Sequence, residues 1–232
     1  MTVLVHDYLL VMRGAERTFA AMCDMFPGAP VAALLHDREV FGERLAGHPV
    51  RTSGLQHLRL KQRGFKPLMP LFPGAAERLD VSGHNLVFSS SSAFAHGVRP
   101  DPGATHVCYC HTPFRYAWHA RDEGVQQAPG WARPALRRSL DRIRRWDQEV
   151  SQRDTHYVAN GPLTQRRMAE VWGIDAPIVP PPVELSRFAP SEVEDYVLLV
   201  GELVQHKRWE LALEACRRAG VPVKVVGWGT DA

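Results

Sequence analysis

Residues 200–214 read VGELVQHKRWELALE. An apolar run from Tyr196 to Val200 leads into them and stops at Gly201, where the backbone can turn freely. From Lys207 onward the pattern predicts a helix over 207–219, closed by Gly220. A second short apolar run follows at 222–226, so the segment reads as strand, turn, helix, strand. A helix start at the carboxyl end of a parallel strand favours anions, through its unpaired N–H groups and its dipole. Lys207 adds a full positive charge there, with Arg208 beside it. The plainer account of the same pair is two solvated bases on a helix start.

Working outward, the rest of the chain repeats this alternation. Short strands are expected at Thr2 to His6, Val31 to Leu35, Val50 to Thr52, Leu86 to Ser89, Thr105 to Cys110 and His156 to Ala159. Helices are expected near 15–26, 74–80, 131–153 and 162–172. Alternating strands and helices imply a parallel sheet covered on both faces, the doubly wound α/β class, with ligands beyond the carboxyl ends of the strands. The stretch PIVPPPVELSRFAP lacks the N–H donors that a helix interior or central strand needs and reads as a stiff linker. The expected organisation is a Rossmann-like domain over 1–176, a proline-rich linker over 177–190, and the start of a second domain over 191–232. The Ser89 to Ser92 run is expected to end a strand and cap the next helix.

With 232 residues, 45% hydrophobic and 23% charged, the chain can bury a substantial core. A net charge of +3 implies no partner by itself. No apolar run approaches the ~18 residues needed to cross a bilayer. The apolar N-terminus is broken by His6 and Asp7 and lacks a charged leader, so it reads as a first strand. Cys23, Cys108, Cys110 and Cys216 form no C-x-x-C pair, and a reducing cytoplasm is their simplest setting.

Three further segments carry chemistry. In THVCYCHTPFRYAW (105–118), strand alternation sets His106, Cys108 and Cys110 on one face and Val107, Tyr109 and His111 on the other. That arrangement supplies too few ligands for a metal, and none is expected. His111 falls where the strand gives way to Pro113, at the edge where a cleft would lie; a structural histidine is the plainer account. Near the N-terminus, a turn at Arg13-Gly14 follows the first strand and could cradle phosphate through backbone N–H groups. It lacks both the G-x-G-x-x-G spacing and the P-loop G-K-[ST]. In the 131–153 helix, at about 100° per residue, Arg133, Arg137, Arg138, Arg142, Arg144 and Arg145 share one half. Leu136, Leu140, Ile143, Trp146 and Val150 share the other. The basic face is either solvated, partly balanced by Asp141, Asp147 and Glu149, or set against an anionic membrane. No nucleic-acid recognition motif accompanies the arginines.

Together these segments resemble the retaining glycosyltransferases of family 4, which have the GT-B fold of two Rossmann-like domains. The resemblance is carried by HDYL and GAER at the start, SSSSAFAHGV, CYCHTPFRYAW, RRWDQEVSQRDTHYVANG, PPVELSRF, VGELVQHKRWELALEA and VVGWG. It implies a doubly wound N-terminal domain and the start of a second Rossmann-like one. The implied reaction moves a hexose, mannose in many members, from a nucleotide-diphosphate sugar to a glycan or lipid-linked acceptor during surface-polysaccharide synthesis. Retention would follow a front-face route in which the leaving phosphate assists the acceptor.

By the same resemblance, His111 reaches the donor sugar and Lys207 neutralises the diphosphate. Gly14 lies in the glycine loop that approaches the donor phosphate, with Arg13 where a second glycine is usual. Gly201 and Arg208 complete the donor-binding set. Glu202 stands where an arginine is often found and takes no role. A pair of glutamates separated by seven residues is expected beyond Ala232, so the chain reads as an incomplete fragment. No cofactor is implied besides the donor substrate. The implied setting is the cytoplasm, with peripheral contact at the inner face of an anionic membrane through the 131–153 helix. Two alternatives stand beside this reading: a non-catalytic sugar- or nucleotide-binding protein, and a membrane-associated assembly protein derived from the same fold.

Overall fold

The computed structural model describes residues 1–58, 66–204, 207–227 and 229. The chain divides into two compact units, Met1–Pro182 and Val183–Ala232. Residues 59–65, Gln205, His206, Trp228 and the last three residues lie outside the described residues.

In the first unit, six strands form one sheet: β1 Thr2–Leu9, β2 Val31–His36, β3 Val50–Thr52, β4 Leu86–Ser91, β5 Thr105–Cys110 and β6 His156–Ala159. Their order is β3-β2-β1-β4-β5-β6 and every pairing is parallel. The chain builds outward from β1 to one edge, then crosses back to the other side of β1 with β4. That reversal is the topological switch point of a doubly wound sheet. The fold class is therefore the α/β, Rossmann-like one expected.

The helices of this unit are α1 Gly14–Met25, α2 Arg38–Phe41, α3 Phe72–Ala76, α4 Arg121–Gln126, α5 Arg133–Ser151 and α6 Pro162–Trp172. The sheet is covered on both faces. On one, Phe94 meets Phe72, Phe114 and Trp146 at centroid distances of 5.6, 4.9 and 5.8 Å, with Leu140 and Ile143 of α5 in the same cluster. Gly97 is required there, because a Cβ on it would drive into the Trp146 ring. Elsewhere, Leu4, Phe19, Met22 and Phe41 form one cluster, and Cys108, Cys110, Tyr157, Met168 and Trp172 another.

Several expectations need correction. β1 continues through His6 and Asp7 to Leu9 instead of ending at His6, because both polar side chains are buried and satisfied by neighbours described below. The helix expected at 74–80 is the shorter α3, with Pro73 in its first turn. The arginines of α5 are exposed and its apolar stripe faces inward, but Asp147 does not balance them. Its carboxylate is 0% exposed and accepts from His96 Nε2 (3.1 Å) and from the indole N–H groups of Trp118 and Trp172 (2.7 Å each). Finally, residues 177–179, expected in the linker, run beside β6: Ala159 N donates to Pro177 O and Val179 N to Ala159 O, both at 2.9 Å.

The second unit holds β7 Val197–Val200, α7 Trp209–Ala219 and β8 Val223–Val226. Its two strands pair in parallel, as a βαβ unit requires. Gly220, at φ 66°, closes α7. Among the described residues, no helix is long and apolar enough to cross a membrane.

Candidate functional site

The carboxyl ends of β1, β4 and β5 converge at the switch point, and polar side chains converge with them. β1 and β4 place His6 opposite Ser90. His6 Nδ1 lies 3.1 Å from both the carbonyl oxygen and the hydroxyl of Ser90. Its ring stacks on Phe19 of α1 at 4.7 Å, and its Nε2 lies 3.7 Å from a carboxylate oxygen of Glu16. The other oxygen of Glu16 accepts from the backbone N–H of Arg13 at 3.0 Å, tying off the first turn of α1. Burial pushes Glu16 upward in pKa, but the hydrogen bond and charge of His6 outweigh it and hold the carboxyl below its ordinary value.

His111 follows β5 directly. Its N–H donates to Ser91 O and its carbonyl accepts from Thr164 Oγ1, both at 2.8 Å, so its backbone is pinned from β4 and α6. Its Nε2 lies 2.9 Å from Ser90 Oγ. Burial, and then the charge of His6, push its pKa down to about 4 against the opposing pull of Glu16. The ring is neutral at physiological pH.

Beneath this cluster lies Asp7, 1% exposed. Its carboxylate accepts from four successive backbone N–H groups, those of Ser92, Ala93, Phe94 and Ala95, at 2.5, 3.0, 2.7 and 2.6 Å. The serine run does end β4, as expected. The cap of the turn after it comes from Asp7 rather than from a serine.

The site residues expected from the sequence fall into two groups. Arg13, Gly14 and His111 belong to the first unit and are linked through Glu16, His6 and Ser90. Arg13 and Gly14 are exposed where β1 passes into α1, and a Cβ on Gly14 would meet nothing within 4 Å. Packing within the chain therefore does not demand a glycine there.

Gly201, Lys207 and Arg208 belong to the second unit. Gly201 N–H donates to Val226 O at 3.0 Å, and a Cβ on Gly227 would overlap the Gly201 carbonyl, so the ends of β7 and β8 lie close. Lys207 and Arg208 stand ahead of α7, not within its first turn. Arg208 is its N-cap in left-handed geometry, φ 51°, which delays the helix to Trp209. Its Nε lies 3.4 Å from Glu210. Both basic side chains are exposed.

Sequence reasoning passed over His6, Glu16, Ser90 and Asp7. The available signal was polar residues placed at the ends of otherwise apolar strands, in VLVHDYL and LVFSSSS. Among the described residues, no group of three or more His, Cys, Asp or Glu is disposed to hold a metal ion.

No protein-family model matches the sequence. No curated protein matches it either. Among solved structures, the chain is similar to the crystal structure of Anabaena Alr3699/HepE in complex with UDP-glucose. The identity is 12% and the TM-score 0.52, over 100% of this chain and 70% of that one. This likeness shows the fold.

Proposed function

We propose that the chain is part of a retaining glycosyltransferase of the family 4, GT-B type, moving a hexose from a nucleotide-diphosphate sugar to a glycan or lipid-linked acceptor. The observation that carries this reading is the fold shared along the whole chain with a protein solved with UDP-glucose. The polar cluster at the switch point supports it, since that is where such sheets bind ligands. In this reading His111 touches the donor sugar, and Gly14 and Arg13 approach the donor phosphates. Gly201, Lys207 and Arg208 serve the diphosphate from the second unit. Developing charge on the leaving group would be met by Lys207 and backbone N–H groups, with no metal or other cofactor. The sequence resemblance favours mannose as the hexose and surface polysaccharide as the product. It also favours the cytoplasmic side of the membrane as the setting, without nucleic acid as a partner.

The test is calorimetric titration of the product of the reading frame that contains this chain with UDP, GDP, UDP-glucose and GDP-mannose. Binding of a nucleotide sugar is the expected result. His111→Ala should weaken turnover at least about tenfold, the scale of one transition-state contact, at a temperature where its unfolding curve shows the variant still fully folded. Absence of binding to all four would overturn the reading in favour of an assembly protein.

A further inference from the structure

The hydrogens around Ser90 can be placed by elimination. Nδ1 of His6 lies 3.1 Å from the Ser90 carbonyl oxygen, and a carbonyl can only accept, so Nδ1 carries a proton. The Ser90 hydroxyl therefore cannot donate to that nitrogen. Its other partner among the described residues is Nε2 of His111, at 2.9 Å. Ser90 is 0% exposed, and a buried hydroxyl whose hydrogen meets no acceptor is unfavourable. The hydroxyl accordingly accepts from His6 and donates to Nε2 of His111, which must present its lone pair. Burial keeps His111 neutral, with a single ring proton. That proton is left to Nδ1, for which the described residues offer no hydrogen-bond partner.

We propose that Ser90 is a positioning residue that fixes His111 as its Nδ1–H tautomer. His111 then offers a bound ligand a hydrogen-bond donor, while its one lone pair, on Nε2, is taken up by the Ser90 hydroxyl and is not turned to the ligand as a base. The group it suits is an oxygen acceptor. That this oxygen belongs to the sugar of a nucleotide sugar rests on the function proposed above; the place of the proton does not. Glu16 and His6 hold the far end of the same relay, so the tautomer is set from α1 through β1 and β4.

Long-range proton–nitrogen correlation spectra of the histidine rings, with His111 assigned by its loss in His111→Gln, read the tautomer directly. At neutral pH the wild-type chain should show a protonated Nδ1 and an unprotonated Nε2. Ser90→Ala should return the ring to the Nε2–H form, and Ser90→Thr, which keeps the hydroxyl, should not. An Nε2–H ring in the wild-type chain, or an unchanged ring in Ser90→Ala, overturns the proposal. The wild-type spectrum decides the matter even where Ser90→Ala fails to fold.

For the ligand, Ser90→Ala should weaken nucleotide-sugar binding by about threefold to tenfold, the range of one hydrogen bond, and leave nucleoside-diphosphate binding unchanged. Equal losses for both would overturn the assignment of the oxygen to the sugar. Failure of the wild-type protein to bind any nucleotide would overturn the proposed function and leave the tautomer result standing.

Discussion

Asp7 is the residue on which the geometry of the site most depends. A buried carboxylate survives only when its oxygens are fully hydrogen-bonded, and four backbone N–H groups provide that. Asp7→Asn keeps the shape but turns an amide NH2 toward donors. The expected loss is about 3 kcal/mol, from at least one charged hydrogen bond and the groups left unpaired. For a domain of this size that lowers Tm by roughly 6–12 °C, readable by scanning calorimetry. A loss below about 1 kcal/mol would mean that water replaces the carboxylate. The importance of Asp7 was not legible in the sequence, because its partners lie 85 to 88 residues away and a lone Asp after an apolar run looks like an ending. His6 was hidden for the same reason. His111 was legible as a position, at the end of an apolar strand before Pro113, but the proton-bearing neighbours that define its chemistry were not.

Among the elements, α5 was the easiest to read and also the one misread at a single position. Its amphipathic period set the buried and exposed faces correctly. Asp147 lies seven residues after Leu140 and four after Ile143, within the apolar stripe, so its burial with Trp118, Trp172 and His96 was signalled by spacing and obscured by its charge. Strand positions followed from apolar runs, whereas the start of α7 depended on the backbone of Arg208, which no side-chain pattern encodes. The exposed face of α5 carries Arg137, Arg138 and Arg142, and Trp131, 86% exposed, stands just ahead of it. Each arginine near an acidic bilayer contributes about 1 kcal/mol. Arg137→Glu with Arg138→Glu should therefore reduce sedimentation with acidic liposomes by well over tenfold, while Tm changes little. Arg144 is a poor choice for this test because its guanidinium lies 4.2 Å from the Trp118 ring centroid. Unchanged sedimentation would leave α5 a solvated surface.

For the molecule as a whole, buried neutral histidines make the first unit sensitive to acid. His111 is pushed down to about 4, and burial, with lesser contributions from His96, Arg153 and His156, pushes His106 to about 3. An unfolded chain binds protons on both near the ordinary value of about 6.5, ahead of the folded one. Their stabilising contribution is therefore complete above about 6.5 and is lost as pH falls toward 4 for His111 and toward 3 for His106. The urea midpoint should drop steadily across that window, and His106→Asn should flatten its lower part. An unchanged midpoint between neutral pH and pH of about 4.5 would contradict the burial of both rings. A different consequence follows from the four amides held by Asp7. Residues 92–95 are outside any strand or α-helix, and amides in such a connection ordinarily exchange with solvent deuterium through small local openings. Here each amide is bonded to the buried carboxylate of a central strand, so these amides should exchange as slowly as those of the central strands. The connection is kinetically part of the sheet. It also cannot close until residues 1–7 and 92–95 have met, which places the switch point among the later, long-range events of folding.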